Sequence, residues 1–229
     1  MAEMAIGYGS EYQLLRYLGH HRNYLFNEVC KVTGSNNPIL WLDYPVQLDR
    51  LSRDGELKGI ECFQELPNYS EIKQAWEVFW PQTGNSHNWD GIFTQDDIWY
   101  FVEAKANLAE AKQRCGAGEV SRKQIMKAFE SVTNNPILAK EWIDSDFYQL
   151  ANRLAFVHFC KSQNIKAKVF YISFLNGYDV NPNKSVTNSE KWDECWQEQV
   201  KGLHLNDINE DIKNDICSLY IDCHAPLKK

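Results

Sequence analysis

Apolar positions along the chain follow two spacings, and the switch between them marks the predicted elements. Leu14, Leu15, Leu18, Leu25, Phe26 and Val29 recur at helical spacing, which predicts one helix from Gly9-Ser10 to about Lys31, with Ser10 as N-cap. Residues 34–38, Gly-Ser-Asn-Asn-Pro, break the chain, and 39–42 form a short strand or a packed loop. A turn at Asp54-Gly55 leads to a strand over 57–63. Ile72, Ala75, Trp76 and Phe79 line a helix over 69–79 capped by Ser70.

The spacing then changes. Gly91-Ile92-Phe93 and the β-forming run Ile98-Trp99-Tyr100-Phe101-Val102 flank the polar stretch Thr94-Gln95-Asp96-Asp97, which is the pattern of a β-hairpin. A helical tract after Asn107 is interrupted at Gly116-Ala117-Gly118, resumes over 121–133 and stops at Asn134-Asn135-Pro136. Residues 144–164 make the clearest helix, capped by Asp144 or Ser145, with Phe147, Leu150, Leu154 and Val157 as its buried stripe. The apolar run over 168–175 follows directly, as expected for a crossover into a covered parallel strand. A helix over 189–203 and a strand over 216–221 complete the pattern, with no internal repeat.

Composition narrows the picture. The 229 residues, 44% apolar and 24% charged, suffice for one substantial core. A net charge of −7 argues against a broad nucleic-acid-coating surface but leaves room for a local basic patch: Lys105, Lys112, Arg114, Arg122, Lys123 and Lys127. The same cations also suit a solvated helical face. Eight Trp fit a Trp-rich core, with base stacking as the functional alternative. Seven Cys without a C-x-x-C pair predict reduced thiols in a cytoplasmic protein, and the Cys/His spacings near 158–160 and 217–224 match no usual zinc pattern. No signal peptide or membrane span is expected.

The hairpin carries the candidate chemistry. A two-residue turn at Asp96-Asp97 sets Asp90 opposite Glu103, and period-2 alternation puts Lys105 on the face of Glu103. Two such carboxylates repel unless a cation neutralises them, and Mg²⁺ accepts one or two carboxylates together with water and phosphate oxygens. Lys105 would then orient the attacking water or steady the phosphate. The competing reading makes 103–114, rich in helix formers, a solvated helix and Asp90 a turn residue. Arg153, one helical turn after Gln149, would contact a phosphate or form a salt bridge.

Asp90, twelve intervening residues and then Glu103-Ala104-Lys105 resembles the signature of the PD-(D/E)xK nuclease superfamily, with Trp89 where its proline is expected. The resemblance implies an α/β fold: a restriction-endonuclease-like αβββαβ core, a mixed sheet flanked by helices, over about residues 9–175 of a single domain spanning 1–229. A C-terminal helix-strand extension would cover about 176–229. It implies Mg²⁺- or Mn²⁺-dependent hydrolysis of nucleic acid, DNA first. Asp90 and Glu103 would be metal ligands, and an acid on the first helix, Glu11 or secondarily Glu28, would add a third. Tyr148-Gln149-Leu150-Ala151-Asn152-Arg153 resembles the glutamine-bearing helix of the RecB-like branch and assigns Gln149 to the site. Lys112, Arg122, Lys123 and Arg153 are the expected nucleic-acid contacts. The alternative is a binding module that keeps the fold without turnover.

Overall fold

The computed structural model describes residues 9–44, 57–83, 87–178, 181–208 and 210–225. The turn expected at Asp54-Gly55 lies outside them. The first helical stretch is two helices, α1 (Gly9–His20) and α2 (Arg22–Thr33). At the break His21 leaves helical geometry, and the Arg22 side chain donates Nε–H to the Leu18 carbonyl at 2.6 Å. A side chain inserted into the hydrogen-bond ladder is a recognised cause of a kink. α2 ends where Gly34, at φ 72°, donates to Cys30 O.

Five strands form one sheet. β1 (Leu40–Trp41) comes first. A short β2 (Leu57–Lys58) and helix α3 (Tyr69–Phe79) follow, then β3 (Asn88–Trp89), β4 (Gly91–Gln95) and β5 (Ile98–Lys105). After β5 come helices α4 (Glu119–Thr133), α5 (Pro136–Asp144) and α6 (Tyr148–Ser162), then β6 (Ala167–Leu175), α7 (Ser189–Gly202), α8 (Glu210–Lys213) and β7 (Ile216–Asp222). The sheet order is β1-β4-β5-β6-β7, antiparallel up to β5 and parallel from β5 to β7, while β2 pairs with β3 separately. The protein is therefore α/β, with a mixed five-stranded sheet flanked by helices. The strand expected over 57–63 shrinks to β2, and Glu61–Phe63 forms a 3₁₀ turn instead.

Asp96 and Asp97 both take left-handed φ (54° and 60°), the backbone of a two-residue primed turn that matches strand twist. Gln95 pairs with Ile98 and Gly91 with Val102, which is the expected register. Phe93 and Tyr100 stack across this ladder with centroids 4.6 Å apart. Along β5 the side chains alternate. Tyr100, Val102 and Ala104 join the core formed with α1 and α2, whereas Phe101 packs with Phe63, Trp89 and Phe156 in the larger core under α3–α6. Glu103 and Lys105 continue the Phe101 face.

Three boundaries moved for identifiable reasons. β5 runs on through Lys105, as the hairpin reading required, so the helix alternative at 103–114 is overturned; the helical tract expected after Asn107 is only a 3₁₀ turn, Leu108–Ala111, and α4 starts at Glu119. Asn107 starts that turn by accepting from Ala109 N and Glu110 N, and Glu110 in return accepts from Ala106 N and from the Asn107 side-chain amide, each at 2.8 Å, a variant of the capping box shifted by one residue. Pro136 does not merely end a helix. It is the first-turn proline of α5, with Asn135 Oδ1 accepting from Ile137 N and Leu138 N. Asp144 consequently belongs to α5, and α6 starts only at Tyr148. Helix α3 likewise has Asn68 rather than Ser70 at its N-cap.

The C-terminal stretch packs on the same sheet. β7 pairs with β6, Trp192 Nε1 donates to Phe174 O at 3.1 Å, and Trp142 Nε1 donates to Leu203 O at 2.7 Å. All seven cysteines are free. Among the described residues no helix is long and apolar enough to cross a membrane.

Candidate functional site

Asp90 sits in a bend between β3 and β4, where the chain exchanges one strand partner for another. Its N–H donates to Val102 O at 3.2 Å. The regular ladder ends at Gly91–Val102, and Ala104 N–H donates instead to Asp90 Oδ2 at 2.7 Å. A side-chain carboxylate thus takes the place a backbone carbonyl would hold. Tyr44 donates its hydroxyl to the Asp90 carbonyl. Asp90 Oδ1 carries no hydrogen bond among the described residues, and this open oxygen is what the bend provides.

Glu103 is 3% exposed and Lys105 5%. The Lys105 ammonium donates to Glu103 Oε1. Arg153, reaching across from α6, donates Nε–H to Glu103 Oε2 at 2.8 Å. It also donates to Asn88 O at 2.7 Å and to Asn152 Oδ1 at 3.2 Å, and its guanidinium carbon lies 4.5 Å from the Trp89 ring centroid. Across the parallel pairing Glu103 lies beside Tyr171 and Lys105 beside Ser173, so this sheet face turns from aromatic to polar just past Phe101.

The two acids are shifted in opposite directions. Burial first, and then the charge of Glu103, pushes the Asp90 carboxyl up to about 8; Lys105 and the Ala104 N–H oppose this, and Glu11 adds a smaller repulsion. Burial also works to raise Glu103, but Arg153 and Lys105 outweigh it and hold its carboxyl below the usual range. Burial and repulsion therefore favour the protonated form of Asp90, while the two cations favour the carboxylate form of Glu103. Tyr171, buried beside Glu103, is raised for the same two reasons.

The remaining expected residues scatter. Glu11 lies in the first turn of α1, close enough for its charge to act on Asp90, yet no three acid, His or Cys side chains gather into a metal-holding group among the described residues. Gln149 is half-buried on α6, one turn before Arg153, and its amide makes no hydrogen bond among the described residues. Arg153 is 6% exposed and committed to protein acceptors. Lys112 pairs with Glu198 at 3.0 Å, Lys123 with Glu119 at 2.7 Å, and Arg122 with Asp144. Those three pairs are on the surface, where they contribute little and exchange readily. Glu28 is bound to Lys31 at 2.6 Å.

Sequence reasoning missed Asn88, Trp89 and Tyr44, none of which carries a local signal. It also missed Asn107 and Glu110, whose N-x-x-E spacing was readable as a capping box.

Hard oxygen donors suit Mg²⁺ or Mn²⁺, and two carboxylates with water are a sufficient protein contribution. A carboxyl whose charged form is disfavoured first by burial and then by a neighbouring carboxylate is also one whose ionisation a dication would favour. Asp90 and Glu103 supply the type of donor such an ion takes, with Asp90 Oδ1 open and Glu103 Oε1 held by Lys105. Compared with family models, curated proteins and solved structures, the chain matches none of them.

Proposed function

We propose that the chain is a metal-dependent phosphodiesterase acting on nucleic acid, DNA first, built on a restriction-endonuclease-like αβββαβ core. The order α2, β1, β4, β5, α6, β6 supports that core. The observation carrying the reading is the bend at Asp90: it leaves one carboxylate oxygen open beside Glu103 and Lys105, at the carboxyl end of a parallel strand where α/β sheets bind ligands.

A bound Mg²⁺ or Mn²⁺ would lower the pKa of a coordinated water and stabilise charge on the phosphate. Ala104 N–H orients Asp90 through Oδ2. Lys105, released from Glu103, orients the attacking water or the phosphate as a point charge. Gln149 brings an uncommitted amide to the same side of α6 as Arg153. Lys112, Arg122 and Lys123 offer phosphate contacts by exchanging their surface acids.

The test is cleavage of single- and double-stranded DNA and RNA by purified protein in Mn²⁺. Glu103→Ala and Lys105→Ala should each abolish it, and cleavage retained in both refutes the assignment. A second reading, a binding module without turnover, is favoured by the full neutralisation of Glu103 between two cations. It predicts no Mn²⁺-dependent change in unfolding temperature and no cleavage of any substrate.

A further inference from the structure

We propose that Arg153 is a positioning residue: it fixes Glu103 through Oε2 so that Lys105 can leave Oε1 during the reaction. This rests on the phosphodiesterase reading of the site. A buried carboxylate held by Lys105 alone would be stranded whenever the ammonium turned to water or phosphate, because an unpaired charge in that environment is strongly unfavourable. Arg153 removes the difficulty, since its bond at 2.8 Å persists when Lys105 departs.

The guanidinium is itself immobilised. Nε donates to Glu103, one terminal nitrogen to Asn88 O at 2.7 Å and the other to Asn152 Oδ1 at 3.2 Å, while the plane lies over Trp89. Asn88 and Trp89 immediately precede Asp90, so one side chain ties the α6 helix to both acid-bearing segments. Each acid then has one oxygen on a fixed donor, Asp90 on Ala104 N–H and Glu103 on Arg153, and one oxygen facing the chemistry. Such a fork is beyond a lysine, which has no planar array of donors. Arg153 is 6% exposed, and each of its three nitrogens donates to a protein acceptor.

The experiment compares Arg153→Met and Arg153→Lys with wild type in Mn²⁺-supported DNA cleavage, with circular dichroism to verify folding. Arg153→Met should lower kcat on the order of 100-fold, the scale expected for misplacing a reacting group, and leave KM for DNA within about twofold. Arg153→Lys should recover part of kcat, and it carries the kinetic comparison if the Met variant does not fold. Raised KM with kcat kept and a flatter salt dependence would make Arg153 a phosphate contact and overturn the proposal.

Thermal unfolding supplies a readout independent of cleavage. Arg153→Met should lower the midpoint by roughly 10 °C, and Arg153→Met combined with Glu103→Gln should lose much less than the sum of the two single losses, because the two side chains are bonded to each other. If the Met variant does not fold, the same cycle is run with Arg153→Lys. Simply additive losses overturn the clamp while leaving the nuclease reading intact. A wild-type chain that cleaves nothing overturns the nuclease reading, and with it the clamp's catalytic purpose, even if the two residues prove coupled.

Discussion

Two buried acids on this sheet each hold a lysine, at opposite ends of the parallel strands, and their carboxyls are shifted in opposite directions. Asp215, just before β7, is bound by Lys161 at 2.6 Å, yet burial leaves its carboxyl raised. Glu103, at the end of β5, is bound by Lys105 and Arg153, and its carboxyl is lowered. The residues are about equally covered, 6% and 3% exposed, so burial alone does not separate them. The enclosure of the cations does. Lys161 is 43% exposed and screened by water, and Lys168 acts on Asp215 by its charge alone, whereas Arg153 and Lys105 are both enclosed and bonded to Glu103. A wet ammonium with a second charge behind it does not offset desolvation; two dry, hydrogen-bonded cations do.

The sharpest way to break the comparison is to remove each lysine. Lys105→Ala should reduce Mn²⁺-supported cleavage by about 100- to 1,000-fold or more, down to the detection limit, as expected when a charge-stabilising donor is lost from an active site. Lys161→Ala should leave cleavage within about twofold, since it serves only a structural pair. Equal losses in both would erase the distinction between the two ends.

The next effect is on stability against pH. Because the Asp90 carboxyl is raised to about 8 when folded, its favourable contribution is present below the unfolded carboxylate range and is lost as pH rises towards 8. Metal-free protein should therefore lose on the order of a few kcal/mol in urea unfolding between about pH 4 and pH 8. Asp90→Asn should flatten that slope, and saturating Mn²⁺ should reverse it, as an ion binding only the folded deprotonated pair must. An unchanged slope in the Asn variant would remove Asp90 as its origin.

Smaller still is Asp215→Asn, which exchanges an ion pair for a neutral amide. Replacing a pair that desolvation already opposes should change stability by less than about 1 kcal/mol and leave cleavage unaffected. Smallest of all, Lys123→Ala should shift stability by under about 0.5 kcal/mol, because its bond to Glu119 is fully at the surface. If Lys123 touches a DNA phosphate, the slope of log affinity against log salt should drop by about 1 in the variant, and an unchanged slope takes it out of the interface.

Much of the scaffold was readable from spacing. The aspartate turn dictated the hairpin register, and the apolar run after a long helix announced β6 as a covered parallel strand. The failures were local competitions between similar signals. Arg22's donation to Leu18 O split one expected helix, and Pro136 read as a stop where it opens α5. Arg153 was legible only as an ambiguity, a phosphate contact or a salt bridge, because its partner lies 50 positions away in sequence.

By itself the sequence determined that Asp90, Glu103 and Lys105 share one hairpin in one register, since turn geometry and strand alternation act over a few residues. The tertiary structure alone decided which cations hold Glu103 and which oxygens stay open. That outcome depends on where α6 settles against β3 and β5. Its seat is set by the packing of Trp89, Phe101 and Phe156 in the larger core, a sum of many weak contacts between distant segments that no single stretch of chain encodes.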